Sequence, residues 1–320
     1  MRPVCVIGLG LIGGSLLRAA GQAGRAVWGA TASTVDAEAA VADGFQVESG
    51  VDAALRKARE QQAIVVIAVP LPDVDRTLST VAAYAPDCLL TDVVSVKAPV
   101  DESVRRLAPR ATYVGGHPMA GTTASGWAAG SAGLFKDASW VLTVEDDTDI
   151  AAWREVAQLV LDCGARLVPA SAAAHDDAVA RISHLPHVLA AVLAAVGADG
   201  GTLALSLAAG SFGDGTRVAG TRPELVRAMC EGNRGPLLDA VDDALGRLGA
   251  ARGALASTGS LGATVEAGHR GWLLHDEHRN TPRTHTRIDL SAPDTIEALL
   301  SLGAQGGRIV GLDGDFALTA

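Results

Sequence analysis

Apolar residues open the chain as a short run, Val4-Cys5-Val6-Ile7, which a glycine-rich turn interrupts at once. Leu16 to Ala23 continues with spacing that suits a helix, Arg25 to Gly29 returns to a strand-like run, and Val35 to Asp43 reads as a helix. Ala63 to Val69 is a fully apolar strand, and the pattern recurs at Leu89 to Val94 and Thr112 to Gly115, with helical stretches such as Asp101 to Leu107 between. Short apolar strands alternating with helices are strands covered on both faces, so the pattern predicts an α/β fold with a parallel, doubly wound sheet. Ser139 to Val144 reads as another strand, Ile150 to Cys163 as a helix and Arg166 to Pro169 as a last strand.

From about Ser171 to Arg252 the chain turns Ala- and Leu-rich with helical periodicity, which predicts a separate all-helical domain. Gly268 to Arg287, rich in His, Arg and Thr and containing Pro282, reads as an exposed loop or linker. Beyond it, Arg287 to Leu290, Asp294 to Leu302 and Arg308 to Val310 predict a small β-α-β appendage. The expected division is an α/β domain over 1–170, a helical domain over 171–267, and linker plus appendage over 268–320.

Composition supports packed domains: 48% of the 320 residues are hydrophobic and 19% charged. Charges break up the apolar runs, so no stretch approaching the ~18 residues of a membrane span is expected, and the protein reads as soluble. Met1 to Gly8 has the look of a signal peptide, but its glycines suit a strand and turn better. Cys5, Cys88, Cys163 and Cys230 are scattered without C-x-x-C spacing, which points to reduced, buried thiols in the cytoplasm. A net charge of −10 argues against a nucleic-acid partner and means that an anionic substrate needs local cations.

The turn Gly8-Leu9-Gly10-Leu11-Ile12-Gly13 is a G-x-G-x-x-G pattern directly after a strand and at the start of a helix. In that setting the glycines allow a tight turn, close approach of a pyrophosphate and close helix packing, which predicts a Rossmann-type site for NAD or NADP. The place where NAD enzymes usually carry a ribose-binding acid reads Gly29-Ala30-Thr31-Ala32-Ser33-Thr34, with no carboxylate until Asp36 and no arginine. Thr31 and Ser33 are the candidate cofactor contacts there, and the choice between NAD and NADP stays open. Val69 and Pro70, at the end of the third strand, either touch the cofactor or only end the strand.

Two further strand ends carry polar residues that should fall on the same sheet edge: Thr91 to Lys97, and Gly115 to Thr122. This puts Ser95 and His117 beside the nicotinamide, where a histidine near neutral pKa can take the proton of a hydroxyl as the attached carbon loses hydride. The alternative is a His that hydrogen-bonds a loop carbonyl. Lys97, one of three lysines, reads equally as functional, as a helix cap or as solvent-exposed. His175-Asp176 and Ser183-His184-Leu185-Pro186-His187 form a third cluster early in the helical region. His184 and His187 would share a helix face if Pro186 did not start or kink the helix there. No metal-ligand pattern supports a metal site, in this cluster or among His269, His275, His278 and His285.

Together, Gly8 to Ser15, Asp92 to Lys97, His117 to Thr122, Ser183 to His187, and Thr216-Arg217 followed by Asn233 resemble the prephenate/arogenate dehydrogenase family, in the family's order over roughly residues 4 to 250. The resemblance implies a Rossmann-type domain followed by an all-helical dimerisation domain, hence a homodimer, and an oxidative decarboxylation in which a cyclohexadienol gives up hydride and carbon dioxide and becomes aromatic. It implies that His117 accepts the ring hydroxyl's proton, with Ser95 hydrogen-bonding the hydroxyl and His117. By the same resemblance Arg217 holds a substrate carboxylate, and His187, His184, His175 and Thr122 line the pocket. Some relatives carry Glu after the His-Pro-Met-Ala-Gly-Thr block, where this chain has Thr123. Prephenate is favoured over arogenate, since no acidic partner for an ammonium group is evident there. The rival readings are another Rossmann-plus-helical reductase and a non-catalytic dinucleotide sensor.

Overall fold

The computed structural model describes residues 1–122, 124–281 and 284–320, and their contacts form two units. One unit joins Met1–Ala178, Gly220–Gly232 and His285–Ala320, and the other joins Val179–Ala219 and Asn233–Thr284. Thr123 and Pro282, singled out in the sequence, lie outside the described residues.

The first unit begins with β1 (Val4–Ile7), α1 (Leu11–Gln22), β2 (Val27–Ala30), α2 (Thr34–Ala42), α3 (Val51–Glu60), β3 (Ile64–Ile67), α4 (Val74–Tyr84), β4 (Leu89–Asp92), α5 (Ala98–Leu107) and β5 (Thr112–Val114). All five strands are parallel, in the order β2-β1-β3-β4-β5. A single parallel bridge between Gly29 and Val47 extends the sheet past β2 and completes the Rossmann order with one residue in place of a strand. The apolar runs serve both faces: Val4, Val6, Ile64 and Val66 enter one core cluster, while Cys5, Ile7, Val65 and Ile67 enter another. Alternate strand residues point to opposite faces, so a sheet with helices on both sides requires unbroken hydrophobicity. The chain reverses direction about β1, with β2 on one side and β3 on the other, and such a reversal opens a crevice at the strands' carboxyl ends.

After β5 the chain leaves this sheet through Gly115. β6 (Gly116–Pro118), β7 (Ser139–Thr143) and β8 (Arg166–Ala170), with α6 (Ile150–Asp162) between the last two, belong to a second sheet. Ser139 to Val144 and Arg166 to Pro169, expected to continue the first sheet, thus lie in a different one. β7 pairs parallel with β8 but antiparallel with β6. α7 (Ala172–Val179) follows.

The helical unit contains α8 (Leu185–Asp199), α9 (Gly201–Ser206) and α10 (Gly210–Thr216). α11 (Pro223–Gly232) packs with the first unit, and α12 (Arg234–Ser257) and α13 (Gly262–Asn280) return to the helical one. A π-type turn over Ala180–His184 precedes α8, where Pro186 lacks the N–H that a regular helix would use. The stretch 268–280, expected as loop, is helix: its His, Arg, Glu and Leu residues are adequate helix formers, and the breaker Pro282 comes only afterwards. The run Ala172–Asp199 is, by length and composition alone, long and apolar enough to cross a membrane, which the sequence reading did not anticipate because Asp, Arg and His interrupt it.

The C-terminal residues do not form a separate appendage. β9 (Arg287–Asp289), α14 (Thr295–Ala304), β10 (Ile309–Asp313) and β11 (Phe316–Thr319) complete the second sheet in the order β6-β7-β8-β10-β11-β9. β10 pairs with β8. Leu299, Ile309 and Ala317 are fully buried in the same core as Leu142 and Leu167, so this segment is integral to the first unit.

Candidate active site

The glycine turn at the end of β1 has the geometry that its sequence predicts. Gly8 adopts φ +104°, and a Cβ there would stand 2.5 Å from the Ala68 carbonyl oxygen at the end of β3. A Cβ on Gly13 would stand 1.9 Å from the Gly8 oxygen, so glycine is needed to seat α1 against the turn. By contrast, nothing lies within 4 Å of a Cβ on Gly10, the residue capping α1. That helix start has no side-chain cap and no acid in its first turn. Its backbone N–H groups and positive dipole end are arranged to hold phosphates, and the open space at Gly10 fits a nicotinamide dinucleotide's pyrophosphate. Leu9 points its side chain into the core, so only its backbone faces this cradle. Leu11 and Ile12 form the first turn of α1.

At the end of β2, Thr31 Oγ1 accepts from Ser33 N at 3.3 Å and Ser33 Oγ caps α2 by accepting from Asp36 N at 3.2 Å. Asp36 Oδ1 accepts from Trp127 N at 2.7 Å, so the nearest carboxylate after β2 is tied to a different loop. Val69 N is 3.1 Å from the position of a Gly8 Cβ, and Pro70 is exposed at the start of the turn leading to α4. Thr31, Ser33, Val69 and Pro70 therefore gather around the carboxyl ends of β1, β2 and β3, with hydroxyls rather than an acid at the end of β2.

His117 sits on β6, opposite Val141 of β7 and held between Gly116 and Pro118. Its Nδ1 lies 2.8 Å from Nε2 of His175, and His175 Nδ1 lies 2.8 Å from Asp176 Oδ1. Asp176 is itself anchored, Oδ1 accepting from Lys97 N at 2.8 Å and Oδ2 from Ala98 N at 2.9 Å, where α5 begins. Burial alone would raise the Asp176 carboxyl. The hydrogen bonds from His175, Lys97 N and Ala98 N, with the nearby His175, hold it below the ordinary carboxylate value. Ser95 is half-buried in the loop between β4 and α5, and Thr122 is exposed beyond β6, its Oγ1 accepting from Ala124 N.

Lys97 stands at the N-cap position of α5, but its side chain caps no helix and is not a surface charge. It is fully buried, with its ammonium against Asp92 Oδ1 and donating to the Gly116 carbonyl at 2.7 Å. Asp92 Oδ1 also accepts from Val94 N at 2.7 Å, and Oδ2 accepts from the Tyr113 hydroxyl. Burial pulls Lys97 below its ordinary value against the opposing pull of Asp92, and burial together with the Asp92 charge pushes Tyr113 well up. The cluster ties the peptide before His117 to β4. Lys97 stands out in the sequence as a rare lysine, but Asp92 as its partner, Tyr113 as the partner of Asp92 and Asp176 as the anchor of His175 do not. Tyr113, one of two tyrosines, was the available signal.

His184, His187 and Arg217 belong to the helical unit. His184 is buried, its Nδ1 3.1 Å from Asn233 Nδ2. His187 Nδ1 donates to the Ser183 carbonyl at 2.9 Å, and Arg217 is exposed at the end of α10. Cys5, Cys88 and Cys163 are buried free thiols as expected, while Cys230 is half-buried. Among the described residues no group of three His, Cys, Asp or Glu side chains is placed to hold a metal.

Residues 14–169 match the family described as prephenate dehydrogenase, nucleotide-binding domain, and residues 171–259 match prephenate dehydrogenase, dimerization domain. A prephenate dehydrogenase of Bacillus subtilis is 34% identical over 251 residues, which cover 75% of this chain and 66% of that protein. The chain thus spans just under two thirds of that relative. A cyclohexadienyl dehydrogenase of Zymomonas mobilis is 34% identical over 272 residues, covering 79% of this chain and 88% of that protein. A Corynebacterium glutamicum crystal structure, described as a candidate prephenate dehydrogenase, superposes with a TM-score of 0.91 at 44% identity, covering 96% of this chain and 98% of that one.

Proposed function

This chain belongs to the prephenate dehydrogenase family, and from that premise we propose that it oxidises and decarboxylates prephenate to 4-hydroxyphenylpyruvate in tyrosine biosynthesis. The observation that carries the reading is an imidazole on a strand end, His117, braced by a buried histidine and carboxylate. NAD or NADP, when bound, would supply the acceptor for the hydride of the carbinol carbon. The uncapped start of α1 with Gly8, Gly10 and Gly13 would hold its pyrophosphate, and Thr31 and Ser33 would meet its adenosine ribose. His117 accepts the carbinol proton as the C–H bond breaks, and Ser95 orients that hydroxyl. The electrons of the breaking carbon–carboxylate bond then flow into the ring as carbon dioxide leaves, and the phenolic oxygen regains a proton from His117. Thr122 lines the substrate, and family resemblance assigns carboxylate binding to Arg217 and a lining role to His187.

Arogenate is the second reading, favoured by the Zymomonas relative, whose name covers cyclohexadienyl substrates generally. A homodimer is part of the proposal. Leu193, Val196, Leu245, Leu248 and Leu255 of the helical unit are exposed apolar residues that a second copy would cover, in the region matching a dimerization domain. Four free thiols support a reducing, cytoplasmic setting. The test is the appearance of reduced cofactor with prephenate and with arogenate, each offered with NAD and with NADP. Turnover of prephenate supports the reading, and no turnover of either substrate overturns it.

A further inference from the structure

We infer that His175 and Asp176 are positioning residues that fix the tautomer of His117, so that His117 keeps a proton on Nδ1 and presents Nε2 as the nitrogen that accepts the substrate proton. The inference rests on the reading of His117 as the base. It moves His175 from the wall of the substrate pocket, where family resemblance put it, to a place behind the base.

The directions of the hydrogen bonds follow from their anchored end. Asp176 receives two backbone N–H groups, Lys97 N on Oδ1 and Ala98 N on Oδ2. Those groups donate only, so the carboxylate is an acceptor on both oxygens. His175 Nδ1, 2.8 Å from Oδ1, must then be the N–H that donates. In neutral imidazole the other nitrogen carries a lone pair, so His175 Nε2 accepts from the nitrogen 2.8 Å away, His117 Nδ1. A proton on Nδ1 of a neutral ring leaves Nε2 as the basic nitrogen. The opposite arrangement, with His117 protonated on Nε2, would put two lone pairs face to face or require a charged His175.

Burial makes the chain of contacts rigid. His175 and Asp176 are each only 3% exposed, and the two imidazole planes cross at 75° with centroids 5.0 Å apart, so the contact runs nitrogen to nitrogen rather than ring face to ring face. Ionisable groups around it, among the described residues, include Asp176 on α7, Lys97 before α5, Asp92 on β4 and Tyr113 on β5. Lys97 and Asp92 form a buried pair, and Asp176, bonded to His175, is the carboxylate in the chain of contacts that favours an imidazolium at His117. A buried carboxylate that orients a histidine in serine hydrolases does the same work through one ring. Here two rings are in series.

The test combines an activity-independent readout with kinetics. Long-range ¹H–¹⁵N spectra of protein labelled in histidine, in the presence of cofactor, report the tautomer of each ring. His117 is expected as the Nδ1–H form in the unsubstituted protein, and a dominant Nε2–H form overturns the inference whatever the substrate proves to be. His175→Phe removes the acceptor, and His175→Gln supplies a carbonyl oxygen in its place. The Phe variant is expected to lose about 10²-fold in kcat, with KM within about threefold and a lower apparent pKa for the base. His175→Gln should recover at least about tenfold of that loss, as a restored acceptor demands. A raised KM with unchanged kcat, or a Gln variant no better than Phe, overturns the inference. If neither prephenate nor arogenate is turned over, the functional reading fails, and the spectra still decide the tautomer.

Discussion

Lys97→Met is the perturbation whose size is best defined by the geometry. Both side chains of the Lys97–Asp92 pair are fully enclosed. Methionine nearly replaces the lysine stem, so the loss is electrostatic rather than a cavity. Asp92 would keep the Val94 N–H and the Tyr113 hydroxyl but lose the ammonium, and the Gly116 carbonyl would lose its 2.7 Å donor. Leaving one member of a buried ion pair uncompensated costs about 3–5 kcal/mol. At about 2–4 °C per kcal/mol for domains of this size, the melting temperature should fall by roughly 6–20 °C. Asp92→Asn alone should be comparably damaging, because it strands the lysine. The double variant should lose less than the sum of the two, by about 2 kcal/mol or more, because residues in one network are coupled. Urea unfolding followed by circular dichroism measures all three. A single-variant loss below about 1 kcal/mol, or strict additivity, would refute the reasoning, since either means that the pair is not a buried, mutually dependent unit.

Gly13→Ala places a methyl 1.9 Å from the Gly8 oxygen and must displace the turn, so cofactor affinity measured by calorimetry should fall by at least tenfold, about 1.4 kcal/mol; unchanged affinity would mean that phosphates bind elsewhere. Thr31→Asp adds the missing carboxylate at the end of β2 and should move the ratio of Kd values toward NAD by about tenfold or more, with equal effects on NAD and NADP contradicting the placement of the ribose. The pH response of Asp176 has a defined sign. Its carboxyl is held below the ordinary value, so its stabilisation is present above the unfolded pKa of about 3.9 and is lost as pH falls through the folded value. The stability gap between the unsubstituted protein and Asp176→Ala should therefore shrink as pH falls below about 4, and a gap that grows over that range would contradict it.

Much of the nucleotide-binding half was legible because its signals are local. Val4 to Ile7 is apolar throughout since both faces of β1 are covered, and Gly8 and Gly13 mark a turn that glycine alone fits, with open space at Gly10 between them. The split into two sheets was not legible, because Gly115 looks like any strand end and nothing local says that the next strand pairs antiparallel with Trp140 and its neighbours. Of the C-terminal strands β9 and β10 were readable and β11 was not, and their docking on β8 depends on a pairing across more than a hundred residues. At the site, Ser95, His117 and Lys97 stood out at strand ends by their chemistry. Asp176 did not, although it lies next to His175 in sequence. Its importance comes from the backbone N–H groups of Lys97 and Ala98, about eighty residues away in the chain.

If His117 takes the substrate proton, its loss shows in the initial rates of reduced-cofactor formation from prephenate by the unsubstituted enzyme and by His117→Asn. The expected fall in kcat is about 10²-fold or more, with the cofactor Kd unchanged. A His117→Asn enzyme that keeps its kcat would contradict it.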